Sequence, residues 1–301
     1  MKIRLKNKII GGSIITASAL SVILILGIIV IILVVTIIGG KDTLSWKFLT
    51  TFPEEGMMKG GIFPAIYGTA LLVIIMAIAA VPFGTITAIY LTEYAHEKSW
   101  IAQTIRFAVR TLATVPSIIF GLFGLGFFIK FVGGGMDSMF LGGQLKWAQP
   151  NLLWASLTMA LLTLPVVIVS VEEAIRTVPR ELREASLALG ATKWQTIKKV
   201  VLPGSISGIM TGTILAVGRG AGEVAPILFT GAAYYLATLP TSVSDQFMNL
   251  GYHIYVMSTQ SSNVDQTMPI QFATTLVLLM LTFSLNLTAV LIRSRLRRRM
   301  K

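Results

Sequence analysis

A charged pair lies inside a long apolar stretch of this chain, where Arg219 and Glu223 stand four residues apart between Ser205 and Ala232. Side chains at this spacing share one face of a helix and can pair. A rise of about 1.5 Å per residue places Arg219 about 20 Å into the stretch. If the stretch spans a bilayer, that depth is inside a hydrocarbon core of roughly 30 Å. A charge there costs at least ~2.5–3.5 kcal/mol, so its presence indicates a function.

The chemistry open to this pair is the binding of an anion. A guanidinium presents a planar fork that fits an oxyanion, and Glu223 would neutralise Arg219 whenever no anion is bound. Pro226 is expected to free backbone groups near Gly222 and to bend the helix where it lines a cavity. A structural ion pair that locks this helix to its neighbours is the alternative, and the residue types leave both readings open.

The composition places these residues in a membrane protein. The chain is 54% hydrophobic and 13% charged, whereas soluble domains are about 25% charged. Runs of roughly 20 apolar residues span a bilayer as helices, and the shorter alternating segments of a β-barrel, about ten residues each, are not seen. We therefore predict an all-α integral membrane protein with a single domain over residues 1–301. Its six predicted transmembrane helices are Gly11–Ile38, Ile62–Leu91, Thr111–Phe131, Asn151–Val171, Ser205–Ala232 and Ile270–Ile292.

Small residues recur at every fourth position along the fifth predicted helix. Such a stripe lets another helix approach closely. The sequence therefore predicts tight helix packing along Gly204, Gly208, Gly212, Ala216 and Gly220.

The distribution of Lys and Arg predicts the orientation in the membrane. Nineteen of the 25 lie in the two terminal tails, the loop before the third segment and the stretch before the fifth, and five lie on the other side. Because cytoplasmic loops retain Lys and Arg, both termini are expected in the cytoplasm. The basic tail Arg293–Lys301 is expected to contact anionic membrane lipid and no nucleic acid. The first apolar run is too long for a signal peptide and is expected to stay as a helix.

The polar stretch between the fourth and fifth segments predicts two short helices joined at a glycine. Pro179 suits the first turn of a helix, and Gly190 suits a left-handed C-terminal cap. The first helix would carry its apolar face at i, i+3 and i+7 spacing, on Leu182, Ala185 and Leu189. Thr192 would cap the second helix, Lys193–Val201, and Pro203 would end it. Such an elbow could be a docking lever or a connector that lies on the membrane.

The remaining motifs of the sequence offer little chemistry. Ser244–Gln246 could cap a short helix over Phe247–Met257, which would rest on the membrane surface or receive a partner. His96 and His253 are isolated and expected in loops, so no metal site is predicted. No P-loop motif is present, so the chain is not expected to bind ATP by that route.

The polar stretch resembles the EAA loop of ABC importer permeases, which docks on an ATPase subunit in that family. The resemblance rests on Glu184-Ala185-Ser186, on Gly190 and on Val200-Val201-Leu202-Pro203 at the family's spacing. It implies that Glu184 pairs with the ATPase, that Ala185 permits close approach and that Gly190 permits the sharp turn. Leu202 and Pro203 complete the coupling motif.

Two other segments, Gly218–Thr230 and Val115–Gly124, resemble the phosphate (Pst-type) importer permeases, of the PstA rather than the PstC type. The resemblance implies a type I ABC importer permease fold, with a cytoplasmic coupling loop at about 172–203, in a prokaryotic inner membrane. It also implies a PstC-type permease partner, two ABC ATPase subunits that bind ATP and Mg²⁺, an extracytoplasmic phosphate-binding protein and phosphate as cargo. This chain would be a transporter subunit, not an enzyme, with no catalytic residue or cofactor of its own.

Two alternatives to a phosphate importer remain open at this stage. The same machine could carry sulfate or molybdate, because an arginine does not distinguish these oxyanions. An ion-coupled secondary carrier could instead use Arg219 and Glu223 as a proton relay. Competition between anions distinguishes a sulfate or molybdate importer from a phosphate importer. The response of uptake to an uncoupler distinguishes an ion-coupled carrier from an ATP-driven importer.

Overall fold

The computed structural model describes residues 2–57, 59–96, 98–261 and 263–299, with side chains described between residues 11 and 295. Within these residues, six helices are long and apolar enough to cross a membrane, which confirms the predicted all-α membrane fold. The six spans are Gly11–Gly40, Phe63–Tyr94, Ser117–Phe140, Leu152–Arg176, Lys193–Gly222 and Val264–Arg295.

Shorter helices connect these spans and flank them. In chain order the described α-helices are α1 (Lys2–Gly40), α2 (Trp46–Thr50), α3 (Phe63–Ile89), α4 (Trp100–Thr114), α5 (Ser117–Phe123), α6 (Gly134–Phe140), α7 (Leu152–Arg176), α8 (Arg180–Ala188), α9 (Lys193–Thr196), α10 (Leu202–Gly222), α11 (Ile227–Thr230), α12 (Leu250–Thr259) and α13 (Val264–Arg299). π-Helical turns extend or join some of them, at Tyr90–Tyr94, Gly124–Gly133 and Ile197–Val201. A small antiparallel hairpin pairs β1 (Pro53–Glu54) with β2 (Lys59–Gly60) around a 3-10 turn at Glu55–Met57.

The core lies where α3, α7 and α10 pack together. Their facing side chains are fully buried, and they include Leu72, Met76, Met159, Val167 and Ala216. By contrast, α1 is exposed along most of its length and meets the rest of the chain near its C-terminal end, where Gly39 and Gly40 press on Phe272 and Ala273. The central three helices therefore form the packed core of the fold.

The stripe of small residues on α10 is used as predicted. A Cβ atom at Gly208 would overlap Ala174 of α7, and one at Gly212 would lie 2.7 Å from Cβ of Ser170. Further along α10, a Cβ at Gly220 would overlap Met76 of α3. The stripe thus fixes α10 against both central partners.

A larger residue at Gly208 is expected to destabilise the subunit. Gly208→Val would force α10 away from Ala174, and overpacking of this kind costs ~1–3 kcal/mol. We expect a lower midpoint of thermal unfolding in detergent and less subunit in the membrane. Gly126→Val is the matched control, because no atom lies within 4 Å of a Cβ at that position. Equal stability of the two variants would contradict the close packing.

The third transmembrane helix begins later than predicted. The sequence placed it at Thr111–Phe131, but the chain is extended at Val115 and Pro116, and the span covers Ser117–Phe140. A residue before proline is pushed out of the helical conformation, so the helix that contains Thr111 ends there. That helix is α4, which is separate and shorter.

The fifth transmembrane helix is displaced toward the N-terminus relative to the prediction. It runs from Lys193 to Gly222 instead of from Ser205 to Ala232. Pro203 does not end the second elbow helix as predicted, because it lies in the first turn of α10, directly after the π-helical turn Ile197–Val201. A π-turn widens the helix, which accommodates a ring that would otherwise meet the carbonyl four residues back.

The outer helix also differs from the prediction. It is α12, Leu250–Thr259, and the side chain of Asn249 caps it by accepting a hydrogen bond from the backbone N–H of Tyr252 at 3.0 Å. Asp245, in the segment Ser244–Gln246 that was predicted to cap the helix, instead accepts from the backbone N–H groups of Thr241 and Ser242. α12 packs against α13, and its Leu250 is fully buried, so this helix is anchored to the helical bundle.

Candidate functional site

Arg219 and Glu223 do form the predicted pair, at the place where α10 ends. Nε of Arg219 lies 3.6 Å from Oε1 of Glu223, which is longer than a good hydrogen bond. The side chains are 41% and 26% exposed. The neighbours of Arg219 point elsewhere: Gly220 packs on Met76, and Gly218 faces the amide of Asn286. The chain therefore leaves the guanidinium on an open face, beside the negative end of the helix dipole.

The helix stops at Gly222, whereas the sequence predicted a bent but continuous helix as far as Ala232. Glu223 is extended, with φ −82° and ψ 132°, and Pro226 is the N-cap of the short helix α11. Backbone of this kind is tolerated at membrane depth only where it is buried in protein or lines a cavity. The end of α10 lies between Arg219 and Glu223, so the irregular backbone and the charged pair occur at the same place in the fold.

The two segments singled out in the sequence meet at this break. A Cβ at Gly121 would lie 2.9 Å from the carbonyl oxygen of Pro226, and one at Gly124 would lie 2.6 Å from the methyl of Thr230. α5 and the π-turn after it thus press on α11. Gly121 and Gly124 thus leave room for the irregular backbone between Pro226 and Thr230. The sequence did not reveal this contact.

The polar stretch folds into the predicted elbow. α8 and α9 meet at Gly190, whose φ of +81° lies in the left-handed region that glycine tolerates without strain. Thr192 caps α9 in a reciprocal capping box, because its hydroxyl accepts from the N–H of Gln195 and its own N–H donates to Oε1 of Gln195 at 2.8 Å. Across the elbow, Oγ of Ser186 lies 2.9 Å from the buried Oγ1 of Thr196. This bond joins the two helices across the turn.

The elbow carries an exposed apolar face beside Glu184. No side chain of α8 is buried, and Leu189 is 89% exposed. Exposed apolar clusters with a polar rim usually mark a contact surface. Exposed residues on and beside this face include Leu182, Glu184, Ala185, Leu187, Leu189, Gly190 and Trp194.

Two coupling residues predicted from the sequence lie apart from this face. Leu202 and Pro203 are half-buried at the start of α10, and Leu202 packs against the central core. Their place is at the root of the elbow, where it joins the fifth span.

Sequence reasoning missed the residues that hold the elbow against the membrane domain. Arg183 of α8 pairs with Glu93 at 3.2 Å, and Nζ of Lys193 lies 4.9 Å above the ring of Tyr94. Glu93 and Tyr94 end the second span. No spacing in the sequence connects them with the elbow, so only the tertiary fold could reveal these contacts.

His253 lies in α12 and not in a loop as predicted. Its ring is 3% exposed, and neither ring nitrogen has a hydrogen-bond partner among the described residues. Burial lowers the pKa of His253 from 6.5 to about 4. Among the described residues, no three His, Asp or Glu side chains gather as metal ligands.

Acid is therefore expected to destabilise the outer part of the fold. Because the folded pKa of His253 is depressed, the unfolded chain binds the proton more readily, and stability falls as pH drops below 6.5. At 1.36 kcal/mol per unit, the loss by about pH 5 is up to ~2 kcal/mol. His253→Leu should remove much of this acid sensitivity of the thermal midpoint. An equally acid-sensitive variant would contradict the role of His253.

Comparison with known proteins gives a family for this arrangement. Residues 80–301 match the family described as binding-protein-dependent transport system inner membrane component. The probable ABC transporter permease protein YqgI of Bacillus subtilis (strain 168) is 33% identical over 235 residues, which are 74% of this chain and 75% of YqgI. The phosphate transport system permease protein PstA of Yersinia pestis is 39% identical over 201 residues, covering 66% of this chain and 62% of that protein. PstA of Mycobacterium leprae (strain TN) is 40% identical over 176 residues, which are 58% of this chain and 52% of that PstA.

Solved structures agree on the fold. A chain of the inward-facing MetNI methionine ABC transporter superposes with a TM-score of 0.58 at 17% identity, over 78% of this chain and 95% of that one. A bacterial ABC transporter for the import of alginate gives 0.57 at 16% identity, over 80% of both chains. The type I ABC importer permease fold is thereby confirmed. The chain belongs to the family of inner membrane components of binding-protein-dependent transport systems, and its sequence is similar to ABC permeases of the PstA type.

Proposed function

We propose that this chain is the PstA-type permease subunit of an ATP-driven phosphate importer and that phosphate passes Arg219. The observation that carries the proposal is the half-exposed Arg219 at a broken transmembrane helix, on a face that the chain itself leaves open. A planar fork of donors at that position fits a tetrahedral oxyanion. The similarity to proteins named as phosphate permeases supports phosphate over other oxyanions.

The long distance between Arg219 and Glu223 suits a transport path better than a structural ion pair that holds two helices together. At 3.6 Å from Arg219, Glu223 neutralises the guanidinium without holding it in a short hydrogen bond. An arriving phosphate would displace the carboxylate from the guanidinium and take its place. When phosphate leaves, Glu223 would pair with Arg219 again, so neither charge remains uncompensated in a membrane.

The open face beside Arg219 would be completed by a second permease subunit of the PstC type. On the cytoplasmic side, the exposed elbow around Glu184 would dock on one of two ATPase subunits, which bind ATP and Mg²⁺. An extracytoplasmic phosphate-binding protein would deliver the cargo to the opposite side. In this arrangement both termini face the cytoplasm, as the distribution of Lys and Arg indicates.

The proposal is tested by uptake of labelled phosphate in a strain that lacks its own PstA-type permease and carries this gene with its partner genes. Excess unlabelled phosphate should block uptake, and sulfate and molybdate should not. Competition by sulfate or molybdate would keep the ABC mechanism and replace the cargo. Uptake that collapses with an uncoupler while ATP is maintained would contradict ATP-driven import and favour an ion-coupled carrier.

A further inference from the structure

We propose that the π-helical turn Tyr90–Tyr94, here called the receiving turn, carries the movement of the elbow into the second transmembrane helix. The inference rests on the proposed role of the elbow as the docking site of an ATPase. Glu93 and Tyr94, neighbours on this one turn, contact different arms of the elbow. Glu93 pairs with Arg183 of α8, and Tyr94 lies under Lys193 of α9.

The contact with the first arm is largely shielded from water. The side chains of Arg183 and Glu93 are 20% and 12% exposed, and Nη2 of Arg183 also donates to the carbonyl oxygen of Ile175 at 2.7 Å. Arg183 therefore joins the elbow, the end of α7 and the end of the second span through one guanidinium. Salt screens a partly buried ion pair of this kind much less than a surface pair.

The receiving turn is also fixed from its other side. Nη2 of Arg106 in α4 donates to the carbonyl oxygen of Leu91 at 3.0 Å, and Nη1 of Arg106 pairs with Glu172 of α7. Glu172 pairs in addition with Arg176 at 2.7 Å. The turn is thus held by charged contacts that reach α4, α7 and α8, and it has little freedom to move alone.

The second span gives this contact a route to Arg219. The elbow is joined covalently to α7 and α10. Its contacts with the receiving turn connect it to α3 as well. Met76 of α3 packs against Gly220, next to Arg219. Met76 and Glu93 are 17 residues apart, and this length of helix spans about 26 Å. The contacts of Glu93 and Tyr94 with the elbow are here called the clamp. With the clamp in place, a movement of the elbow displaces α3 together with α10, so the packing beside Arg219 is retained.

Loss of the clamp is expected to separate ATP hydrolysis from transport. The complete transporter, co-purified with its partner subunits and placed in liposomes, is assayed for phosphate taken up per ATP hydrolysed. Arg183→Gln and Glu93→Gln should each lower this ratio roughly two- to thirtyfold, the range for residues in a coupling network. The double variant should be no worse than the more impaired single variant, because both substitutions remove the same ion pair.

Arg180→Gln is the matched control, because Arg180 lies on the same helix, is exposed and forms no ion pair with any described residue. It should keep the wild-type ratio. A variant that is merely misfolded would lose uptake and hydrolysis together and leave the ratio unchanged. Wild-type ratios in both Arg183→Gln and Glu93→Gln would overturn the proposal.

A gain-of-function test uses the absence of Cys from the chain. In the double variant Glu93→Cys with Arg183→Cys, a reversible thiol cross-linker should restore the ratio, and its reductive release should lower it again. Failure of the cross-linked transporter to recover would overturn the proposal. A wild-type transporter that moves no phosphate would refute the proposed cargo instead, and the ratio would then be read with whichever oxyanion stimulates hydrolysis.

Discussion

Replacing Arg219 with Ala is expected to lower phosphate uptake by about tenfold to a hundredfold, with a wild-type amount of subunit in the membrane. A hydrogen bond to a charged group contributes ~1.5–3 kcal/mol, and roughly 1.4 kcal/mol corresponds to a factor of ten. The subunit should still fold, because the side chain is 41% exposed and its ion pair with Glu223 is long. Uptake of labelled phosphate at matched protein levels measures the effect.

Two further variants separate a binding role from charge alone. Arg219→Lys keeps the charge but loses the planar fork, so its uptake should fall between wild type and Ala. Arg293→Ala removes another arginine of a transmembrane helix, whose Nη1 donates to Oγ1 of Thr211 at 2.9 Å, and it should transport phosphate far better than Arg219→Ala. Full uptake in Arg219→Ala would leave the pair with Glu223 a structural role.

Reversing the charge of Glu184 is expected to abolish most transport while the subunit still inserts. Glu184 is exposed on α8, beside the apolar face of the elbow. A charge pair at an interface that loses one partner costs ~2–5 kcal/mol, so Glu184→Lys should weaken ATPase binding by about thirtyfold or more. Recovery of the ATPase subunits with the tagged permease measures docking, and phosphate uptake measures its consequence.

Glu181→Lys provides the comparison for this effect. It makes the same reversal on the same exposed helix, in the first turn instead of the middle. A clearly smaller loss of ATPase binding than in Glu184→Lys is expected, since our proposal places the docking contact at Glu184. Equal losses would show that the overall charge of the elbow matters rather than this residue, and normal transport in Glu184→Lys would remove its proposed role.

The local structure of the elbow was predictable because its causes are local. Gly190 adopts the left-handed turn, and Thr192 caps α9, as their residue types indicate. Each depends on backbone geometry within a few residues, which a sequence pattern describes directly. The capping partner Gln195 and the bond between Ser186 and Thr196 were not foreseen, although both lie inside the same stretch.

Helix boundaries at prolines were predictable only in part. Pro116 ended a helix that the hydropathy pattern had continued, whereas Pro203 failed to end one. The difference lies in the turn before each proline. At Pro203 a π-turn makes room for the ring, and at Pro116 the chain becomes extended. An apolar run does not encode which of these occurs, because hydropathy carries no signal for a π-turn.

The sequence by itself determined that six apolar helices form, that Arg219 and Glu223 pair, that small residues line α10, and that the polar stretch folds as an elbow. These follow from periodicity, transfer free energies and capping, which act within one helix or one turn. Only the tertiary structure decided that α10 ends at Gly222, that Gly121 packs against Pro226, and that Glu93 and Tyr94 contact the elbow. Those contacts join residues far apart in the chain, and their free energy exists only when helices from different segments pack together.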